Sequence, residues 1–421
     1  MTSHAGRTGR YQALMVAALA MLLIAARMPE RLAGGFLWAE DGKIFLGDAY
    51  ALGAASLFKP YAQYLHLLPR LIAYAVSRVC YIDRVARPLA WICALALSAV
   101  CAYLFTFARR RFSPPTAWAF ALAPLLVPHT GEVWLTVTNL QWVIAPALLV
   151  LLWSAFCVAP SAAQPAHGEL RRGAAIVLLT LTGPFGLMFS PLVAARLVLL
   201  RGMTRTRRAW IAIGAYFMAV GVQLATILAN PPPAVPAGAA ARPALSAYLH
   251  YPWKGQFLHY LTLDFVLPYS LTDRLGDGWR IAAVAAALLL AACLLLGARS
   301  QRFVTAGLFA LAAALWAVGV VRVGMPDLEL RWNLGGRYFY VPFVAMAWSL
   351  LILRDTAPRT GARTLAGGML ALVLVNSLAN FHAAVWRPAG LARSTQGSGW
   401  MLTLPPSADW RLPIRPEWKS P

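Results

Sequence analysis

Residues 280–298, RIAAVAAALLLAACLLLGA, and residues 303–323, FVTAGLFALAAALWAVGVVRV, decide the fold class. Each approaches the roughly 20 mostly apolar residues that a helix needs to cross a hydrocarbon core of about 30 Å. Comparable runs recur at 12–29, 88–108, 116–131, 141–159, 209–229, 338–353 and 364–381. The whole chain follows suit: of 421 residues 60% are hydrophobic and only 12% charged, with a mean hydropathy of +0.62. A water-soluble globular chain carries roughly twice that charge. The sequence therefore predicts an all-α, polytopic membrane helical bundle whose first partner is the bilayer. A formal charge of +22 would suggest nucleic acid in a soluble protein. In a membrane chain Lys and Arg collect in cytoplasmic loops and set the orientation, so no nucleic-acid partner is expected. The five cysteines, Cys80, Cys93, Cys101, Cys157 and Cys293, form no CxxC pair and read as buried thiols.

Two regions break the pattern. Residues 174–200 are apolar, yet Arg171 and Arg172 precede them and Arg201, Arg205, Arg207 and Arg208 follow. The turn Gly183-Pro184-Phe185-Gly186 at their centre predicts two half-length helices returning to the starting face, packed inside a bundle or around a cavity. Residues 64–82, interrupted by Pro69, Arg70 and Arg78, read as an interfacial or re-entrant helix. The first run, after Arg7 and Arg10, reads as a retained helix because no convincing small-residue cleavage site follows it. The count comes to about 11 crossings, within a range of roughly 10 to 13, with the N-terminus cytoplasmic. A membrane domain over residues 1–381 then carries outer loops at 30–63, 230–279 and 324–337, and residues 382–421 form a short extracytoplasmic tail. Only Glu169 and Asp355 among the acids fall on the inner side, so any acidic chemistry is expected outside. The large loop opens with an Ala/Pro-rich connector from Pro231 to about residue 243, and Tyr248 to Tyr269 read as an interfacial aromatic belt.

Three constellations could carry chemistry. Trp38-Ala39-Glu40-Asp41-Gly42 follows the first span directly. Two adjacent carboxylates near a membrane surface repel each other and lose hydration, which raises one of them toward the range a general base needs. The alternative is a solvated, turn-forming acid pair; Lys43, Tyr61, His66 and Arg70 downstream weigh against it. Glu132, followed by Asn139-Leu140-Gln141-Trp142, offers the hydrogen-bonding groups and indole faces of a sugar site, or else a hydrated loop whose Trp residues anchor the interface. Arg331-Trp332-Asn333-Leu334-Gly335-Gly336-Arg337-Tyr338 enters a late span and suits a phosphate held at the membrane surface. Snorkelling and aromatic anchoring are the alternative there, and Asp327 and Glu329 stand ready to neutralise these arginines. His129, His250 and His259 match no common zinc spacing. No Walker A sequence, dinucleotide fingerprint, GxSxG elbow or zincin helix occurs, which argues against catalysis with a cytoplasmic nucleotide.

An acid pair in the first outer loop, a further acid in a later one, short or broken helices mid-chain and an Arg-Tyr leading a late span together resemble the GT-C superfamily. These are integral-membrane glycosyltransferases that use polyprenyl-phosphate sugars. The stretch Arg337-Tyr338-Phe339-Tyr340-Val341-Pro342 is similar to the Arg-Tyr-x-x-Pro of bacterial members, with the proline one place late. The resemblance implies a bacterial inner-membrane enzyme that moves a sugar from a lipid-linked donor to an extracytoplasmic glycan or lipid acceptor, with inversion. Glu40 or Asp41 would be the base, Glu132 would orient the acceptor or the second acid, and Arg337, Arg331 and Tyr338 would hold the donor phosphate. Lys43, Tyr61, His66, Arg70, Asn139, Gln141 and Trp142 would line the cavity. Some relatives use a divalent cation, Mg or Mn, and some do not; the sequence has no metal motif that chooses. A transporter or flippase for a lipid-linked saccharide needs the same cavity and arginines without a base, and a non-catalytic partner of envelope enzymes is the third reading.

Overall fold

A computed structural model describes residues 2–129, 131–157, 166–199, 209–231, 250, 253–323, 336–381, 390–393, 400–405 and 410–418. Arg331, Asp327, Glu329, most of the Ala/Pro-rich connector, Tyr248 and the beginning of the tail lie outside the described residues. The chain is predominantly helical. In order come α1 (Thr2–Arg27), α2 (Pro29–Gly34), a π-helical turn (Asp41–Leu46), α3 (Gly47–Leu52), a 3-10 segment (Gly53–Phe58), α4 (Leu67–Val79), α5 (Ala86–Ala108), α6 (Pro114–Leu126), α7 (Leu140–Cys157) and α8 (Ala166–Thr180). Then follow α9 (Phe185–Met188), α10 (Ser190–Leu199), α11 (Ala209–Ala229), short helical pieces between Trp253 and Gly278, α12 (Trp279–Leu296), α13 (Arg299–Val323), α14 (Arg337–Thr356) and α15 (Thr360–Ala379). Three strands close the chain: β1 (Gly390–Arg393), β2 (Trp400–Thr403) and β3 (Arg411–Ile414).

Seven described helices are long and apolar enough to cross a membrane: Thr8–Arg27, Ala86–Ala108, Trp210–Ala229, Arg274–Leu296, Gln301–Arg322, Arg337–Thr356 and Thr360–Ala379. The protein is multi-pass. Other apolar runs form shorter helices. α6 ends at Leu126, five residues before the run does, because Pro128 excludes Val127 from helical backbone and Val127 is extended. α4 has 13 residues, about 20 Å at 1.5 Å per residue, too short to cross alone. The region 174–200 is interrupted at its Gly-Pro, as expected, although α8 begins earlier, at Ala166.

The chain divides into two compact units of interleaved segments. One comprises residues 1–27, 98–133 and 234–384. Its centre is α14, 83% buried over its apolar window, whereas Arg274–Leu296 is only 22% buried and so turns most of its surface to lipid. Trp348 of α14 stacks on Phe120 of α6 at 4.2 Å and donates its indole N–H to the Phe120 carbonyl at 2.9 Å. At one end of this unit the Asp355 carboxylate accepts hydrogen bonds from Thr116 Oγ1 at 3.0 Å, from the Ser113 hydroxyl and from its backbone N–H. At the other end Arg27 donates to the carbonyls of Leu125, His129 and Asn380 at 3.0, 2.6 and 3.2 Å. Those carbonyls lie in or just beyond the last turns of α6 and α15, where helices leave acceptors unmatched and carry negative potential. One buried guanidinium thus gathers the ends of α1, α6 and α15.

The other unit comprises residues 28–97, 134–233 and 385–421. α8 packs on α11 and α7, and α4 on the turns that precede it. The three strands form an antiparallel sheet in the order β1-β2-β3, with Leu402 opposite both Leu391 and Leu412. The reading of residues 382–421 as a plain tail did not anticipate this sheet.

Replacing Arg27 by Met takes its donor from two buried carbonyls and one half-buried one, and the expected loss is about 2–4 kcal/mol of stability. Arg27→Lys should recover less than half, because one ammonium does not reproduce the guanidinium fork. Thermal unfolding of the detergent-solubilised protein, followed by tryptophan fluorescence, measures both.

Candidate functional site

The acid pair leads the second unit. Glu40 is half-buried and Asp41 fully buried at 1% exposure. Asp41 Oδ1 accepts the Thr138 N–H at 2.7 Å and Oδ2 accepts the Trp38 N–H at 3.1 Å. The carboxylate therefore ties the segment after α2 to the loop before α7. Burial raises its pKa from 3.8 to about 6; the Thr138 and Trp38 bonds oppose that shift and the Glu40 charge adds to it. Glu40 differs in kind. Its Oε1 takes a long 3.4 Å bond from the Tyr61 hydroxyl, and its Oε2 is enclosed without a hydrogen-bond partner.

Tyr61 owes its position to a tight turn in which Tyr61 and Tyr64 exchange backbone bonds at 3.0 and 3.2 Å. Ala62 and Gln63 both have positive φ, 49° and 80°, a conformation that costs non-glycine residues about 1–3 kcal/mol each. The turn is fastened by Gln223 of α11, whose carboxamide accepts the Leu65 N–H at 2.9 Å and donates to the carbonyls of Leu65, Thr180 and Gly183. Leu67 and Leu68 continue the contact by donating to Leu181 O and Thr182 Oγ1. The irregular segment 61–68 and the break between α8 and α9 thus satisfy one another through a single glutamine.

Phe45 joins the aromatic and cationic members. Its ring centroid lies 6.0 Å from Tyr61 and 5.4 Å from His66, and the Arg70 guanidinium carbon lies 5.1 Å from it. His66, stacked on Tyr64 at 4.5 Å, is pushed down to about 3 by burial and, less, by the Arg70 charge, against the Tyr64 carbonyl. Its ring is neutral at physiological pH and serves as a flat wall. Arg70 is 1% exposed. It donates from Nη1 to Asp48 Oδ2 at 2.7 Å, while its Nε and Nη2 are enclosed without partners. Lys59 shares Asp48 from the exposed side, also at 2.7 Å.

The remaining candidates divide between the units. In the second, Asn139 begins α7, accepting the Trp142 N–H at 2.9 Å. Gln141 directs Oε1 against Gly183, where a Cβ would stand 2.7 Å away, and Trp142 meets Phe185 edge-on at 4.9 Å. Lys43 is exposed and lies over Trp410 of the tail at 5.5 Å. In the first unit Glu132, 2% exposed, accepts the Arg337 guanidinium at 2.9 Å and its backbone N–H at 3.2 Å. A carboxylate at the first turn of α14 so caps the helix and neutralises the arginine together. Tyr338 covers Gly319, where a Cβ would lie 2.9 Å from its ring. Arg331 lies outside the described residues. Asp48, Gln223 and Thr182 escaped the sequence reading; the one available signal was Gln223, an amide inside an otherwise apolar span.

Among the described residues no three His, Cys, Asp or Glu side chains gather as a metal site. In the second unit several buried polar atoms have unmatched capacity: Glu40 Oε2, Arg70 Nε and Nη2, Gln141 Oε1 and Thr180 Oγ1. Buried polar atoms are otherwise almost always paired. No family model, curated protein or solved structure matches the chain.

Because the folded Asp41 holds its proton more tightly than the unfolded chain does, its protonation stabilises the protein fully below pH 3.8, and that gain is lost as pH rises through about 6. Infrared difference spectra should contain a protonated-carboxyl band that disappears with a midpoint near pH 6 and is absent from Asp41→Asn.

Proposed function

We propose that the protein is a membrane glycosyltransferase of the GT-C type, moving a sugar from a polyprenyl-phosphate donor to an extracytoplasmic cell-envelope acceptor. The observation that carries this reading is the pairing of unlike carboxylates: Asp41 fixed by two backbone N–H groups, and beside it Glu40 with an enclosed, unengaged oxygen. Rigid support next to a group left free to react is what a catalytic constellation requires. Glu40 is then the base and Asp41 the residue that positions it. The acceptor hydroxyl gives its proton to Glu40 while its oxygen bonds to the anomeric carbon from the side opposite the lipid phosphate. The bond from carbon to phosphate oxygen breaks, the phosphate leaves with the electron pair, and the configuration inverts. Arg70, with two unengaged guanidinium nitrogens, offsets the charge that develops on the leaving group. Tyr61 and His66 supply flat faces for a sugar ring.

The distribution of charge supports about 11 crossings of a bacterial inner membrane, a cytoplasmic N-terminus and a site on the far side. One observation favours the second reading, a transporter of lipid-linked saccharides: the interruption between α8 and α9, clamped by Gln223, is the kind of broken helix on which transporters build their sites.

Glu40→Gln decides between the two. A transferase should lose about 10²–10⁴-fold in product formation by the purified protein, with donor binding retained. Undiminished product would remove Glu40 from the chemistry; no product from the unaltered protein, with lipid-linked saccharide moved across vesicles, would establish the transporter.

A further inference from the structure

The C-terminal sheet has one covered face. Leu402, Leu404, Leu412 and Ile414 are buried, while Arg411 and Pro413 between them are exposed, the alternation of a strand pair with one face against protein. Leu404 donates its N–H to the Trp410 carbonyl at 2.9 Å, which sets Leu404, Trp410 and Leu412 on that same face. Opposite them stands the segment that carries the acid pair. A Cβ on Gly42 would lie 2.6 Å from a Leu404 methyl, and a Cβ on Gly47 would lie 3.1 Å from one of Leu412.

The two glycines share a side for a reason of helical pitch. Asp41–Leu46 is a π-turn, and the Gly47 N–H bonds to the Gly42 carbonyl five residues back. The i,i+5 spacing stacks both glycines on one side and opens two notches where the leucines seat. The surroundings repeat the contact: Trp410 packs on Phe36, Trp38 and Ala39, Lys43 lies over Trp410, Tyr50 stacks on Trp418 at 5.6 Å, and the Ile82 N–H donates to the Trp418 carbonyl at 2.8 Å.

We propose that the C-terminal sheet is a positioning element of the reaction centre: by seating Leu404 and Leu412 in the notches at Gly42 and Gly47 it holds the π-turn in the pitch that aims Glu40. The catalytic part rests on the transferase reading; the clamp itself does not. Leu404 and Leu412 touch no reacting atom and act through the turn.

The test is a double-mutant cycle in the full-length protein. Gly42→Val forces a branched side chain into the space of Leu404, and Leu404→Ala vacates that space. Gly34→Val is the control, since nothing lies within 4 Å of a Cβ there. Modification of Glu40 by a water-soluble carbodiimide, read by mass spectrometry, should rise by roughly threefold or more in Gly42→Val and fall back when Leu404→Ala is added. The control should label as the unaltered protein does. Transfer activity should fall and recover in the same pattern. Additive effects on labelling, with no recovery in the double variant, overturn the clamp. Labelling that recovers while Glu40→Gln retains full transfer leaves the clamp standing and removes only the reaction assigned to Glu40. Should Gly42→Val fail to fold, Leu412→Ala opens the second notch without a clash, and unchanged Glu40 labelling there also overturns the proposal.

Discussion

Irregular backbone among apolar helices has to find its hydrogen-bond partners inside the protein, because hydrocarbon supplies none. Three polar side chains meet that demand here, each serving several backbone groups. Gln223 fastens the break after α8 to the segment before α4. Asn376 donates to the carbonyls of Asp264 and Phe265, and Arg27 gathers carbonyls in and just beyond the last turns of α6 and α15. Remove any one of them and an unwound stretch carries unmatched acceptors into an apolar setting. The site of the second unit exists because Gln223 makes the strained 61–64 turn affordable, and that turn brings the Tyr61 hydroxyl to Glu40.

Buried charge follows a related logic. Desolvating an ion pair costs several kcal/mol per ion, so the pairs Arg70–Asp48 and Arg337–Glu132 are poor sources of stability. Their use is specificity of arrangement. Glu132 and Arg337 are consumed by each other and by the start of α14. Asp48 is divided between Arg70 and Lys59, which leaves the buried guanidinium only partly matched. Arg337, which the sequence presents as a phosphate anchor, and Arg70, which it presents only as a cavity residue, therefore differ in what they have left to offer.

The membrane-spanning helices were legible because length and apolarity are summed over many residues and no tertiary contact reverses them. Helix ends were less so: Pro128 truncates α6, and α8 starts among the polar residues His167, Glu169, Arg171 and Arg172, which an apolar window passes over. The acid pair could be found by its chemistry, but not the division of labour within it. That division depends on Thr138, 97 residues away. Asp48 was invisible because its meaning lies in Arg70 and Lys59, and the contact of Lys43 with Trp410 was invisible because Trp410 sits near the far end of the chain. The sheet escaped because strands of four residues are too short for a period of two to stand out.

Between the transferase and transporter readings the decisive consideration is rigidity. A carrier has to release what it binds to either side, and a carboxylate sealed to 1% exposure by two backbone N–H groups gains it little. A displacement at an anomeric carbon has the opposite need, since misplacing the base by an ångström forfeits much of the rate. The Trp38 and Thr138 N–H groups immobilise Asp41, the residue next to Glu40, from one side, and the notches at Gly42 and Gly47 immobilise the following turn from the other. Fixing a carboxylate's neighbours so closely, while leaving one of its own oxygens without a partner, fits the proposed proton abstraction better than passage.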